Sequence, residues 1–169
     1  MAMAKSVAEA LVEASAALGN EPDDRRDAAR LLGHVTGLSR SDIIAHPESL
    51  LCSTHLIELQ ALIERRRQGH PLAYLIGTQS FWDLDFKVTP DTLIPRPETE
   101  LLIEIILNQS NSAPKTIIDL GTGSGVIAVT LAAARPDWSV IATDASIEAL
   151  RIAQHNGAGL RNLNFVAAH

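Results

Sequence analysis

The N-terminal part of the chain carries apolar residues at helical spacing. Apolar side chains recur every three or four positions across residues 7–18 and are followed by a glycine, which predicts a helix that stops there. Asn20 is the predicted cap of a second helix with Pro22 in its first turn. Residues 41–45 predict a short third helix, and a fourth begins near Ser53. The first seventy or so residues therefore predict a small helical bundle.

After about residue 76 the pattern changes to strands. Residues 81–88 alternate apolar and polar side chains, which is typical of a half-buried strand or hairpin. Further strands are predicted at 116–120, 139–143 and from about Asn164, and helices at 99–107, 126–134 and 147–156. Strand alternating with helix predicts a parallel sheet with right-handed crossovers. The predicted fold class is α/β: a helical bundle followed by the first part of a Rossmann-like domain.

The strand at 116–120 is apolar on both faces. We therefore expect it to lie centrally in the parallel sheet, with helices covering both sides. A chain that ended at His169 would leave one edge of this strand unpaired.

Composition and charge exclude several classes of protein. The 46% hydrophobic content fits a globular protein, no apolar run is long enough to span a membrane, and the start does not resemble an export signal. The net charge of -6, and 8 Lys or Arg against 10 Asp or Glu in residues 1–80, argue against direct nucleic-acid binding. The single cysteine, Cys52, cannot form an internal disulfide, which favours a cytoplasmic location. The six His residues lack metal-ligand spacing, so no metal is predicted.

The most informative stretch is residues 117–125, Ile-Ile-Asp-Leu-Gly-Thr-Gly-Ser-Gly, between a predicted strand and a predicted helix. Alternate glycines allow a sharp turn and a close ligand approach, although a tight turn without a ligand is the alternative. A phosphate-binding P-loop needs Lys and then Ser or Thr after the last glycine, and the dinucleotide fingerprint needs glycine at 126, where Val126 stands. Asp119 would repel a pyrophosphate but attract the ammonium and sulfonium of S-adenosylmethionine. The predicted cofactor-binding residues of this stretch are Asp119, Gly121, Thr122, Gly123, Ser124 and Gly125.

A second acidic residue, Asp144, ends the next predicted strand about twenty residues further on. A carboxylate at this place in a βαβ unit accepts hydrogen bonds from both ribose hydroxyls. The alternative is that Asp144 caps the helix that begins near Ile147. Together with the loop, Asp144 completes the predicted S-adenosylmethionine site.

With these residues in place, the chain resembles the release-factor glutamine methyltransferases, the HemK/PrmC family. The resemblance rests on residues 70–77, 81–88, 93–100 and the cofactor unit 119–144. The cofactor unit is shared by a large superfamily of methyltransferases. The run Ile-Pro-Arg-Pro-Glu-Thr-Glu within 93–100, joined to an N-terminal helical domain, is more specific.

The resemblance implies methyl transfer from S-adenosylmethionine to the side-chain amide nitrogen of the glutamine in the Gly-Gly-Gln motif of peptide-chain release factors, with S-adenosylhomocysteine as product. Residues 1–75 would be a helical substrate-recognition domain, 76–92 a strand or hairpin linker, and 93–169 the N-terminal part of a class I S-adenosylmethionine-dependent methyltransferase domain. The loop glycines would approach the methionine part of the cofactor. A lid over the active site would comprise Arg96, Pro97, Glu98, Thr99 and Glu100.

The family's Asn-Pro-Pro-Tyr motif is not present among the 169 residues. No catalytic residue is therefore predicted here, and these residues alone are expected to be inactive. Two alternatives stay open at this point: a methyltransferase acting on an exocyclic amino group of DNA or RNA, and a non-catalytic module that docks a partner.

Overall fold

The chain folds as two compact units, residues 1–76 and 77–169, in a computed structural model that describes residues 4–109 and 113–168. The first unit is helical. Its elements are β1 (Lys5–Ser6), α1 (Val7–Leu18), α2 (Pro22–Thr36), α3 (Arg40–Ala45), β2 (Leu50–Leu51), α4 (Ser53–Arg67) and α5 (Leu72–Ile76). The two short strands pair antiparallel, and neither they nor α5 are predicted from the sequence, because two to five residues are too few for a periodic pattern.

The predicted start of α2 is one residue too early. Asn20 has a φ of 67°, a left-handed conformation that does not fit the extended backbone of an N-cap. The cap is Glu21, whose backbone N–H donates to the Asp24 carboxylate at 3.2 Å. An acidic residue three positions into the helix thus satisfies the cap's own donor.

Helix α3 begins with a reciprocal capping box. The Asp42 N–H donates to Ser39 Oγ at 3.1 Å, and the Ser39 N–H donates to the Asp42 carboxylate at 3.0 Å. Hydrogen bonds from the Ser39 hydroxyl and then the Ser39 backbone N–H lower the pKa of Asp42. The predicted helix at 41–45 therefore starts one residue earlier, at Arg40.

The helices of the first unit enclose one apolar core. Val7, Ala28, Leu31 and Leu32 are completely buried in it, so the stripes seen in the sequence are the faces that pack. The Arg66 Nε donates to Asp27 Oδ2 at 2.8 Å and ties α4 to α2.

The second unit is α/β, as predicted. It contains β3 (Thr78–Phe81), β4 (Leu84–Lys87), α6 (Glu98–Gln109), β5 (Thr116–Leu120), α7 (Val126–Ala134), β6 (Ser139–Asp144), α8 (Ile147–Asn156) and β7 (Leu163–Ala167). Strands β3 and β4 form an antiparallel hairpin, and β5, β6 and β7 form a parallel sheet in the order β5-β6-β7. The hairpin belongs to this unit, because Phe81 and Phe86 are buried in the same core as α7 and β6.

Helices α7 and α8 cover the same face of the sheet. Right-handed crossovers that step in one direction, from β5 to β6 to β7, leave both connecting helices on one side. The buried sheet residues Val140 and Ala142 are in register with Ile117 and Asp119 of β5. This face therefore carries the core of the unit.

In the described part of the chain the strand at 116–120 is not central, and one of its edges is unpaired, which is what the sequence predicts for these 169 residues alone. Its central position in the whole protein stays a prediction. The middle strand is β6, and β5 pairs on one side only. Ile118 and Leu120, which point away from Ile117, are 59% and 78% exposed. The apolar pattern correctly shows that both faces of β5 are apolar, but it cannot show what lies against each face.

Candidate cofactor-binding site

The glycine loop connects β5 to α7 and is held against the next strand. The backbone N–H groups of Gly121 and Thr122 donate to the Thr143 carbonyl at 2.9 and 2.8 Å. The Gly125 N–H closes the turn onto the Thr122 carbonyl at 2.8 Å. Because Thr143 is the residue before Asp144, these bonds place the loop beside the carboxyl end of β6.

The three glycines of the loop differ in their surroundings. Gly121 and Gly123 have φ of 73° and 57°, and a Cβ added to either would have no described atom within 4 Å. A Cβ on Gly125 would lie 3.0 Å from the Ala153 Cβ and 3.2 Å from Val129 Cγ2. Gly121 and Gly123 therefore leave open space for a ligand, whereas Gly125 permits α7 and α8 to pack closely.

Asp144 joins the loop to the start of α8. Its Oδ2 accepts from the Gly123 N–H at 2.9 Å, and its Oδ1 accepts from the Ser146 N–H at 2.9 Å. The N-cap of α8 is Ser146, whose Oγ accepts from the Ala149 N–H at 3.1 Å, so the alternative of Asp144 as the N-cap does not hold. Each carboxylate oxygen has two lone pairs, and Asp144 therefore keeps capacity for further donors such as ribose hydroxyls.

Asp119 lies at the carboxyl end of β5, next to Ala142 on β6. Its Oδ2 accepts from Thr122 Oγ1 at 2.7 Å. Thr122 is 5% exposed, so its side chain positions the carboxylate and is itself shielded from solvent. Within the described residues neither Asp119 nor Asp144 forms an ion pair, which leaves a negative site at this sheet edge.

Ser124 is the predicted site residue whose side chain is least available. It is 2% exposed, and its Oγ has no hydrogen-bond partner among the described residues. In this conformation the hydroxyl cannot contact a ligand in the open space before the loop. The backbone of Ser124 has a different role, because its carbonyl is held by Asn156.

Asn156, the last residue of α8, binds two separate segments through one side chain. Its Nδ2 donates to the Ser124 carbonyl at 2.8 Å and to the Lys87 carbonyl at 3.0 Å. Its Oδ1 accepts from the Lys87 N–H at 2.9 Å. The sequence gives no signal for this contact, since a polar residue at a helix end is ordinary. Asn156 thus connects the glycine loop to β4 of the hairpin.

The predicted lid segment sits at the start of α6. Arg96, Pro97 and Glu98 are exposed, while Thr99 and Glu100 are half-buried. Glu100 Oε1 accepts from the N–H of Trp82 at 2.9 Å, and Trp82 occupies the hairpin turn with a φ of 55°.

Glu100 therefore anchors α6 to the hairpin. No hydrogen bond or ion pair between described residues joins 96–100 to the glycine loop. The proposed role of this segment over the active site stays a prediction.

The residues present suit S-adenosylmethionine. Two carboxylates without ion pairs, Asp119 and Asp144, would face a cofactor whose methionine part carries an ammonium and a sulfonium. The space beside Gly121 and Gly123 gives backbone access, and Asp144 has free acceptor capacity for ribose. A pyrophosphate would instead be repelled by these two carboxylates.

Among the described residues, no group of three or more His, Cys, Asp or Glu could hold a metal ion, and no helix is long and apolar enough to cross a bilayer.

Comparison with known protein families gives two matches. Residues 9–77 match the PrmC N-terminal domain, and residues 97–167 match the methyltransferase small domain. The second match covers β5, the glycine loop and β6. Fold, loop and match together define the second unit as a methyltransferase domain of the α/β class.

The relatives agree on a particular family. The chain is 48% identical to a protein named release factor glutamine methyltransferase in Coxiella burnetii (strain RSA 493 / Nine Mile phase I). The alignment spans 144 residues, which are 83% of this chain and 52% of the relative. The protein of the same name in Escherichia coli (strain K12) is 46% identical over 150 residues, 89% of this chain and 54% of the relative. The chain thus belongs to the PrmC family of release-factor glutamine methyltransferases, as the resemblance predicts, and spans about half the length of these curated relatives.

A solved structure, that of coclaurine N-methyltransferase bound to N-methylheliamine and SAH, is also similar. It aligns with 96% of this chain and 50% of its own, at 20% identity and a TM-score of 0.40. A likeness this low carries no argument about site or substrate.

Proposed function

We propose that the protein containing these residues methylates the side-chain amide nitrogen of the glutamine in the Gly-Gly-Gln motif of peptide-chain release factors, in the cytoplasm, with S-adenosylmethionine as donor. The observation that carries the cofactor is the pair of carboxylates at the ends of β5 and β6, each of which accepts a hydrogen bond from the glycine loop: Asp119 from Thr122 Oγ1 at 2.7 Å and Asp144 from the Gly123 N–H at 2.9 Å. The names of the relatives support the substrate. The chain also carries the PrmC N-terminal domain, which we propose contributes to recognising the release factor.

Each residue of the site is proposed to contact a different part of the cofactor. Asp144 accepts hydrogen bonds from the ribose hydroxyls while it keeps the Gly123 N–H in place. Asp119, fixed by Thr122, faces the positively charged methionine part, and Gly121 and Gly123 allow its close approach. When bound, S-adenosylmethionine supplies a methyl group on a sulfonium, which becomes a neutral thioether once the methyl group has gone to nitrogen.

The acceptor nitrogen must lose a proton as the new carbon–nitrogen bond forms. The family's Asn-Pro-Pro-Tyr motif is absent from these residues, so no group here is assigned to hold the amide. The segment Arg96 to Glu100 is proposed to lie over the acceptor. Arg96 is exposed and forms no ion pair with any described residue, which leaves it able to contact a substrate loop.

Methylation of an exocyclic amino group in DNA or RNA is the second enzymatic candidate, since that acceptor is also a planar nitrogen. The negative charge of the chain disfavours a nucleic-acid substrate. The net charge of -6 would repel a polyanion, and the domain that precedes the methyltransferase domain is acidic as well. The relatives' names do not favour it either.

The test is a transfer assay with a methyl-labelled donor. The protein containing these residues is incubated with release factor, with a release-factor variant whose Gly-Gly-Gln glutamine is alanine, and with total RNA and DNA. We expect label on that one glutamine, confirmed by peptide mass spectrometry, and none on the variant. Label on nucleic acid, or equal label on the variant, would overturn the proposed acceptor.

A further inference from the structure

A cavity of about 780 Å³ lies in the helical unit between α2 and α3. We call it the α2–α3 groove. Its apolar floor is formed by Leu11, Ala29, Leu38, Ile43 and Ile76 together with Gly33. A volume of this size is in the range that holds a drug-sized ligand or a few side chains of a partner.

The sequence of α2 explains why a depression exists there. Ala29 and Gly33 are four residues apart, so they lie on the same face of the helix and remove side-chain bulk from it. A Cβ on Gly33 would lie 2.9 Å from the Leu38 carbonyl oxygen, which means that glycine lets the chain after α2 pass close to the helix. Small residues in α2 thus open the floor of the α2–α3 groove.

The rim of the groove is cationic although the unit is acidic. Residues 1–80 hold 8 Lys or Arg and 10 Asp or Glu. Four of the cations line the groove, namely Arg25, Arg26, Arg30 and Arg40, and no Asp or Glu does. The acidic side chains of the unit lie outside the groove, and among the described ion pairs only that of Arg26 with Asp23 compensates an arginine of the rim.

Two of these four arginines have a polar partner within the described residues, and the other two do not. Arg26 pairs with Asp23 at 3.0 Å, and Arg25 donates to Asn20 Oδ1 at 3.1 Å. Arg30 and Arg40 are exposed and have no hydrogen-bonded or ionic side-chain partner among the described residues. Their planar guanidinium groups match the geometry of carboxylates.

An exposed apolar side chain completes the surface. Ile44 lies at the rim and is 69% exposed, beside the cationic residues. Apolar floor, apolar rim and arginine forks together match a segment with both carboxylates and aliphatic side chains. A nucleic acid is matched less well, because no Phe, Tyr or Trp lines the groove to stack on a base and the unit as a whole is acidic.

We propose that the α2–α3 groove is a docking site for an acidic, amphipathic segment of a protein partner, with Arg30 and Arg40 binding its carboxylates and its aliphatic side chains entering the apolar floor. All residues that line the groove lie in the helical unit, so binding to it can be measured without methyl transfer. The proposal can therefore be tested by binding alone.

The probe is a fluorescein-labelled amphipathic helical peptide with Glu on one face and Leu on the other. It is titrated with the chain, and binding is followed by fluorescence anisotropy. A Lys–Leu peptide of the same pattern and a fluorescein-labelled single-stranded RNA are the comparisons. We expect saturable binding of the acidic peptide, weakened by salt, and at least about tenfold weaker binding of the other two.

Variants locate the binding. The double variant Arg30→Ala/Arg40→Ala should weaken the acidic peptide at least about tenfold, because two charge-assisted contacts are lost. Ile44→Ser should weaken it several-fold. Arg65→Ala, an exposed arginine of α4 outside the groove, is the matched control and should bind like the unaltered chain.

Circular dichroism shows whether each variant is folded, and the exposed positions of Arg30, Arg40 and Ile44 make this the expected result. Equal binding by the double arginine variant and the control would overturn the proposal. RNA binding that disappears in the double variant would overturn it in favour of a nucleic-acid partner. Equal binding of the acidic and basic peptides would also overturn the proposal, because the arginines of the groove would then not select an acidic partner.

Discussion

Replacement of Asn156 tests whether the glycine loop is held in place from outside. The Asn156 side chain makes three hydrogen bonds, one to the Ser124 carbonyl and two to the backbone of Lys87. Asn156→Ala removes all three at once. The loop then loses its only side-chain tie to the hairpin among the bonds that the structure describes, while Asp144 still holds Gly123.

The size of the effect follows from how buried each bond is. The bond to Ser124 is partly buried and worth about 1 kcal/mol, and the two exposed bonds to Lys87 add less. Alanine's higher helix propensity returns roughly 0.5 kcal/mol. We expect a net loss of about 1 kcal/mol, or roughly 4–8 °C in Tm for a unit of this size.

Cofactor affinity is the decisive measurement. If the loop must become ordered when the ligand binds, the cost of ordering it lowers the affinity. Asn156→Ala should therefore weaken the binding of S-adenosylhomocysteine about three- to tenfold, as measured by titration calorimetry. Asn162→Ala is the matched control, because the Asn162 amide donates to the carbonyls of Ala132, Arg135 and Trp138, each at 3.1 Å, at the other end of α7. It should lower Tm similarly and leave the affinity unchanged.

Equal loss of affinity in both variants would show that stability alone governs binding. Unchanged affinity in Asn156→Ala with a lowered Tm would show that the loop keeps its shape without the tie. Either result would refute the positioning role of Asn156.

Three other predictions concern the glycines, the α3 cap and the helical unit. Gly125→Ala should lower Tm more than Gly121→Ala in thermal melts, because only the first also creates a clash, with Ala153 at 3.0 Å. The pKa of Asp42 is lowered in the folded state, so its stabilising effect is present above the unfolded pKa and is lost as pH falls through the folded pKa; Ser39→Ala should flatten this part of a stability–pH curve. Deletion of residues 1–75 should raise KM for whole release factor far more than for a short Gly-Gly-Gln peptide, and an equal rise would mean that the bundle only supports the fold.

The sequence predicts best those elements whose periodicity and boundaries agree. Strand 116–120 and helices 126–134 and 147–156 have the predicted bounds in the structure. Each is bounded by a glycine loop, a cap or an acidic strand end, which are local signals. The misplaced start of α2 and the unpredicted α5 show the limit, because the left-handed Asn20 and a five-residue helix leave no periodic trace.

The candidate site shows the same division. Adjacent parallel strands end at the same edge, so the sequence alone places Asp119 near Asp144. The packing role of Gly125 and the clamp by Asn156 depend on contacts with residues 28 and 69 positions away in the chain, and spacing cannot reveal them. The cofactor-binding role of Asp119, Asp144 and the glycine loop stays a prediction.

Calorimetric titration of this chain with S-adenosylhomocysteine tests the central claim most directly. We expect S-adenosylhomocysteine to bind and NAD not to bind, and Asp144→Ala to weaken binding by about 1–3 kcal/mol, the range for lost hydrogen bonds to a charged group. Glu104→Ala, an exposed acid on α6, is the charge-matched control and should bind like the unaltered chain. Binding of NAD instead, or S-adenosylhomocysteine affinity unchanged in a folded Asp144→Ala variant, would contradict the assignment of this edge of the sheet as the cofactor site.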